Sequence, residues 1–227
     1  MLWRRKASIS DDLKDWIIDS FDWAQEVFGP EWINTRPLIT PTKDFFTARS
    51  GNTPKVAQQI ANDIAKLLPV DPIEVQPIAN LPAEYRHNYQ DLSGIGGTYL
   101  HDDDAPLISY DPEGMARPIA FINTMTHELM HARLAPHIDD MPGGEPVHEL
   151  STDLHCITHG LGLFALDGPA QIGWSGYMTQ ESRAYALAVF LSRHRIDSSD
   201  AINRLSTRSA KALKRAVLEY EVDCASA

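Results

Sequence analysis

His127-Glu128-Leu129-Met130-His131 lies just past the middle of the 227-residue chain, and the residues before it say how it is folded. Ile119, Ile122, Met125 and Leu129 recur at helical spacing, which predicts a helix over about 118 to 134. Residues four apart on a helix share a face, so His127 and His131 present two imidazoles to one metal ion. Glu128 lies about 100° round the axis, placed to reach a water on that ion without ligating it. A zinc ion held this way lowers the pKa of water to about 7, and the carboxylate collects the proton as the water attacks a polarised carbonyl. The bland reading of the same residues is two histidines hydrogen-bonded on a surface helix, so a third ligand has to corroborate the metal.

Three readings of that ligand stand open. Glu149 follows His131 by eighteen residues and opens the next expected helix, with Asp153 four residues further on the same face. Glu149 then binds the ion while Asp153 accepts the second ring N–H of a ligand histidine. His137 is the next reading, because His127, His131 and His137 have the histidine spacing of another zinc-peptidase pattern. That pattern has a glycine where this chain has Leu134, and a β-carbon is costly in a turn that needs positive φ. Asp153 itself, or another group, is the third. His148, His155 and His159 fall about 100° or more from the Glu149/Asp153 face and read as solvent or core residues.

Working outward, Leu13, Trp16, Ile17, Ala24, Val27 and Phe28 predict an amphipathic helix capped by Ser10 and stopped at Gly29-Pro30. Arg36 to Phe46 reads as an extended segment with turns, and Asn52-Thr53-Pro54 opens a second helix through Leu68. Ile73 to Ile78 reads as a strand, and Gly97–Leu100 with Leu107–Tyr110 as a strand pair around the acidic turn Asp102-Asp103-Asp104. Beyond Pro118 helices dominate, at about 118–134, 147–164, 179–194 and 200–221. The layout is an α+β single domain over 1–227, with a small sheet in the first half and no internal repeat. Gly94-Ile95-Gly96-Gly97 lacks the Lys-Ser/Thr of a phosphate cradle and reads as a turn; Cys156 reads as a small core residue.

Composition sets the limits. With 43% hydrophobic and 22% charged residues the chain is an ordinary globular protein. A formal charge of −11 disfavours a phosphate-tracking surface, so nucleic acid is not the expected partner, although a local basic patch stays open. No apolar run approaches the roughly 18 residues of a membrane span, and Ser8, Ser10, Asp11 and Asp12 interrupt any leader after the basic start. Two distant cysteines, Cys156 and Cys224, predict reduced thiols and a cytoplasmic protein.

His127, Glu128, His131, Glu149 and Asp153 together resemble the gluzincins, the thermolysin-like class of zinc peptidases, over about thirty residues. The resemblance implies a zincin-like fold, His127, His131 and Glu149 as zinc ligands, Glu128 as base and Asp153 as partner of the first histidine. Arg36-Pro37-Leu38-Ile39-Thr40-Pro41, Phe45-Phe46, Gly160–Phe164 and Gly176–Gln180 leading to Tyr185–Ala188 also resemble a group of uncharacterised bacterial HExxH proteins, over most of the chain. Peptidases of this class bind substrate as an added strand, for which Leu107, Ile108, Ser109 and Tyr110 form the candidate edge strand, an internal strand being the alternative. They also need an oxyanion donor, for which Tyr177 and Tyr185 are the candidates. The expected function is a zinc-dependent hydrolase, foremost a peptidase acting on a peptide or protein. The alternatives are a non-catalytic zinc-stabilised binding module and a protease latent toward generic peptides and specific for one protein.

Overall fold

The computed structural model describes residues 7–80, 97–100, 106–173 and 176–226. The acidic turn Asp102–Asp104 and most of the Gly94–Gly97 stretch therefore lie outside the described residues. The chain is α+β, mostly helical with a small sheet, and its backbone contacts divide it into two compact units.

The first unit comprises residues 1–38, 139–166 and 177–227. Its first helix, α1 (Asp11–Phe28), starts where Ser10 Oγ accepts the Leu13 N–H and where Asp11 and Asp12 favour the helix dipole. It stops at Gly29, whose φ of +89° leaves the helical region. Pro30, expected to extend that stop, instead opens a further short turn, α2 (Pro30–Ile33), because its fixed φ suits the first helical position. The inner face of α1 buries Ile17, Phe21 and Ala24 at helical spacing.

The expected helix at about 147–164 is interrupted. Regular α5 (His148–Cys156) passes into a π turn, Ile157–Leu161, in which Gly160 takes φ +93°, and α6 (Gly162–Gln171) follows. A residue with a β-carbon resists that φ, so the glycine permits the break. The long helix expected at about 200–221 is likewise two, α8 (Ser198–Ile202), capped by Asp197, and α9 (Thr207–Ser226). Between α6 and α8, α7 (Gln180–Arg193) is capped by Thr179 Oγ1 and buries Ala184, Leu187, Ala188, Val189 and Leu191. It packs extensively on α9, and its tight neighbours include Gly162, where a β-carbon would stand 2.6 Å from Leu187 Cδ1.

One polar knot ties this unit's helices. Lys14 on α1, 8% exposed, lies 2.9 Å from both Glu219 and Asp223 on α9, and Tyr185 on α7 donates to Asp223 at 2.9 Å. Ser8 adds its N–H and hydroxyl to Glu219. Burial alone would lower the Lys14 pKa, but its hydrogen bonds to Asp223 and Glu219 prevail and raise it.

The second unit comprises residues 39–138 and 167–176. Helix α3 (Pro54–Leu67) has its proline at the first position, with Thr53 extended before it. Strands β1 (Glu74–Pro77), β2 (Gly97–Leu100) and β3 (Leu107–Tyr110) form one sheet in the order β1-β3-β2, parallel between β1 and β3 and antiparallel between β2 and β3. Gln58 of α3 serves the outer side of β1, its amide donating to the Ile73 carbonyl and accepting the Val75 N–H, both at 2.9 Å. Buried Asp63 accepts the N–H groups of Thr47 and Ala48, which pins that extended segment to α3. Helix α4 (Pro118–Leu134) packs on α3. Gly168 of α6 approaches it so closely that a β-carbon would stand 2.8 Å from Asn123 Cβ and 3.2 Å from Ala120 Cα.

Candidate metal centre

Helix α4 runs over the residues its periodicity predicts. It is not amphipathic, however: Ala120 to Met130 are all buried except Thr124, so it behaves as a helix enclosed on nearly every side. His127 and Glu128 are 7% and 3% exposed, and a carboxylate so far from water is costly unless something charged or polar answers it. His131 is half-buried, one turn on.

The two imidazoles are aimed together. Nε2 of His127 and Nε2 of His131 lie 3.1 Å apart with their rings nearly perpendicular, at 87°. Two nitrogens bound to one tetrahedral zinc at about 2.05 Å stand roughly 3.3 Å from each other, so this separation fits shared ligation. Glu149, in the first turn of α5, completes the donor set: one ligand atom from each of His127, His131 and Glu149 lies within 4.8 Å of the others, a group able to hold a metal ion. Two imidazoles and one carboxylate are donors that zinc and other first-row metals accept.

The other third-ligand readings are placed differently. His137 sits in a short 3-10 turn after α4 and is not part of the metal-capable group among the described residues. Leu134 keeps a right-handed φ of −91°, so the chain does not make the sharp glycine turn that would swing His137 back. Asp153 is 2% exposed and uses Oδ2 to accept three donors: the Tyr177 and Met178 N–H groups at 2.7 and 3.0 Å and Arg183 Nη2 at 2.5 Å.

Sequence reasoning passed over Arg183. It is fully buried, donating also to the Met178 and Ala165 carbonyls, and so joins α5, α6 and the turn before α7. The available signal was its position at the head of the apolar run Ala184–Leu191, where a guanidinium has to bring a partner.

Of the oxyanion candidates, Tyr177 is 44% exposed and contributes its backbone to Asp153. Tyr185 is 2% exposed, with its hydroxyl committed to Asp223 and Lys14 over its ring. Burial first, and then the Asp223 bond, push its pKa far up, which suits a structural knot. The edge-strand expectation for Leu107–Tyr110 is corrected: β3 is the central strand, paired on one side with β1 and on the other with β2. Its main-chain groups are already used in both ladders, and Ile108, Ser109 and Tyr110 are buried, so no peptide adds there.

His155 and His159 are fully buried among Trp23, Phe28 and Trp32, which decides for the core between the solvent and core roles the helical angles left open. Burial pushes the His155 pKa down to about 3. Cys156 is buried and donates to the Thr152 carbonyl, and neither it nor Cys224 forms a disulfide. None of the described helices is long and apolar enough to cross a membrane.

The fold and site thus define an α+β chain with a His-His-Glu group able to hold a metal ion. No protein-family model, no curated protein and no solved structure matches the chain.

Proposed function

We propose that this protein is a zinc-dependent hydrolase of the gluzincin type, acting as a peptidase on a peptide or protein in the cytoplasm. The observation that carries the reading is the His127/His131/Glu149 group, whose two imidazole nitrogens stand at the separation of shared ligation with a carboxylate oxygen within 4.8 Å of them. Zinc bound there supplies Lewis acidity, polarising a carbonyl and acidifying water. His127 and His131 hold their imidazoles on one helical face, and Glu149 brings the third donor from the first turn of α5. Glu128, buried one residue after the first ligand, takes the proton of the attacking water and returns it to the departing amine. Asp153, anchored by Arg183 and two backbone N–H groups, is the residue we assign to orienting a ligand imidazole. Tyr177 is the oxyanion donor in this reading, and Tyr185 has no part in it.

A purely structural zinc site usually closes its fourth position with Cys or His, whereas among the described residues this donor set has three members and an adjoining carboxylate. That favours hydrolysis over a zinc-stabilised module. The test is zinc content of the purified protein beside Glu149→Ala and His137→Ala. One zinc per chain, lost in Glu149→Ala and kept in His137→Ala, is expected; loss only in His137→Ala would overturn the ligand set.

A further inference from the structure

We infer that the outer face of α9 is a docking surface for an acidic amphipathic helix of a partner protein. Between Asp200 and Glu219 the chain carries Arg204, Arg208, Lys211, Lys214 and Arg215 and no acid, a quarter of its 20 cations in a molecule of charge −11. Arg208, Lys211, Lys214 and Arg215 are exposed and line a groove of about 650 Å³ against the start of α7. Arg208 is held along the wall by its bond to Gln180 at 2.8 Å, and Glu181 is the acid on the same wall.

The pattern runs along the groove, whose lining includes Leu218, and on to Val222. Arg208, Lys211, Arg215, Leu218 and Val222 follow the three-four spacing of a helix seam. Leu218 and Val222 are 50% and 64% exposed, two of the three large apolar residues exposed among the described residues. The stripe covers fourteen residue steps, about 21 Å of helix. Its complement is a helix of similar length whose seam is acidic in one half and apolar in the other.

Two other occupants fit less well. A nucleic acid offers phosphate along its whole length and nothing for Leu218 and Val222, and the rest of this acidic protein repels it. A second copy in parallel register sets Arg208 on Arg208, and in antiparallel register sets Arg208 on Val222, so neither neutralises the basic half.

The test uses the full chain and a fluorescein-labelled peptide of about 18 residues, long enough to cover the stripe, with Glu at the seam positions of one half and Leu at those of the other. Fluorescence anisotropy is expected to show binding that weakens with added salt, and that falls on the order of tenfold in Lys211→Glu/Lys214→Glu and in Leu218→Glu/Val222→Glu. Circular dichroism checks that the variants fold; Lys211→Ala/Lys214→Ala replaces the charge reversal if it does not. No binding, equal binding of a peptide with the same residues scrambled, or tighter binding of a single-stranded oligonucleotide overturns the proposal. So does sedimentation of the wild-type chain as a dimer that Leu218→Glu/Val222→Glu dissociates.

Discussion

Arg183 Nη2 lies 2.5 Å from Asp153 Oδ2, and both side chains are shut off from water. Asp153 stands four residues after Glu149, so the pair fixes the helix that carries the carboxylate of the metal-capable group. A buried pair of this kind adds little over an apolar substitute, but removing one member strands the other.

Arg183→Met is therefore expected to cost about 3–5 kcal/mol in urea denaturation. Asp153→Asn, which keeps the shape and one acceptor, is expected to cost less. Equal stability of Arg183→Met and wild type would show that the pair is dispensable.

Under the proposed function, Glu128→Gln separates holding a metal from using it. The variant is then expected to keep whatever zinc the wild type binds, read by metal analysis, and to lose at least about 100-fold of the rate on any peptide that the wild type proves to cleave. Retained turnover would remove Glu128 from the mechanism.

The pH dependence of stability has a definite sign at His155. Unfolded, the imidazole takes a proton near 6.5; folded, burial delays protonation to about 3. Between those values the unfolded chain binds more protons, so stability falls as pH drops, by up to about 1.4 kcal/mol per pH unit from this residue. With chelator present, denaturation midpoints from pH 7 to 4 are expected to fall less steeply in His155→Phe than in wild type. Parallel curves would contradict this.

Gly168→Ala sets two effects against each other. Alanine is worth up to about 1 kcal/mol over glycine inside a helix. At this position its β-carbon meets Asn123 Cβ at 2.8 Å and backbone of α4 at 3.2 Å, neither of which can swing aside. Overpacking of this sort costs about 1–3 kcal/mol, so a lowered Tm is expected. A raised Tm would mean that α4 yields at no cost.

Much of the local structure was legible in the chain. Helix α4 came from the Ile119/Ile122/Met125/Leu129 spacing, α1 from the Ser10 cap and α3 from Pro54, because caps and periodicity are short-range. The paired imidazoles were legible for the same reason, since i and i+4 on a helix admit one geometry. The break at Gly160 was not, because Gly160 and Gly162 sit in an apolar run that reads as continuous helix. Only the left-handed φ of the first and the crowding of Leu187 on the second give them their meaning.

What sequence alone determined is thus the set of local choices: where helices begin, and that His127 and His131 share a face with Glu128 beside them. Long-range assembly decided the rest. Strand order made β3 central rather than an edge, since nothing within Leu107–Tyr110 says how many neighbours it will have. Assembly also gave Tyr185 to Asp223 and Arg183 to Asp153, partners thirty or more residues away in the chain. It brought Glu149, rather than His137, into a group with the two histidines. Spacing along a helix is set by the backbone's own repeat, whereas a partner across the core is set by which surfaces are buried together.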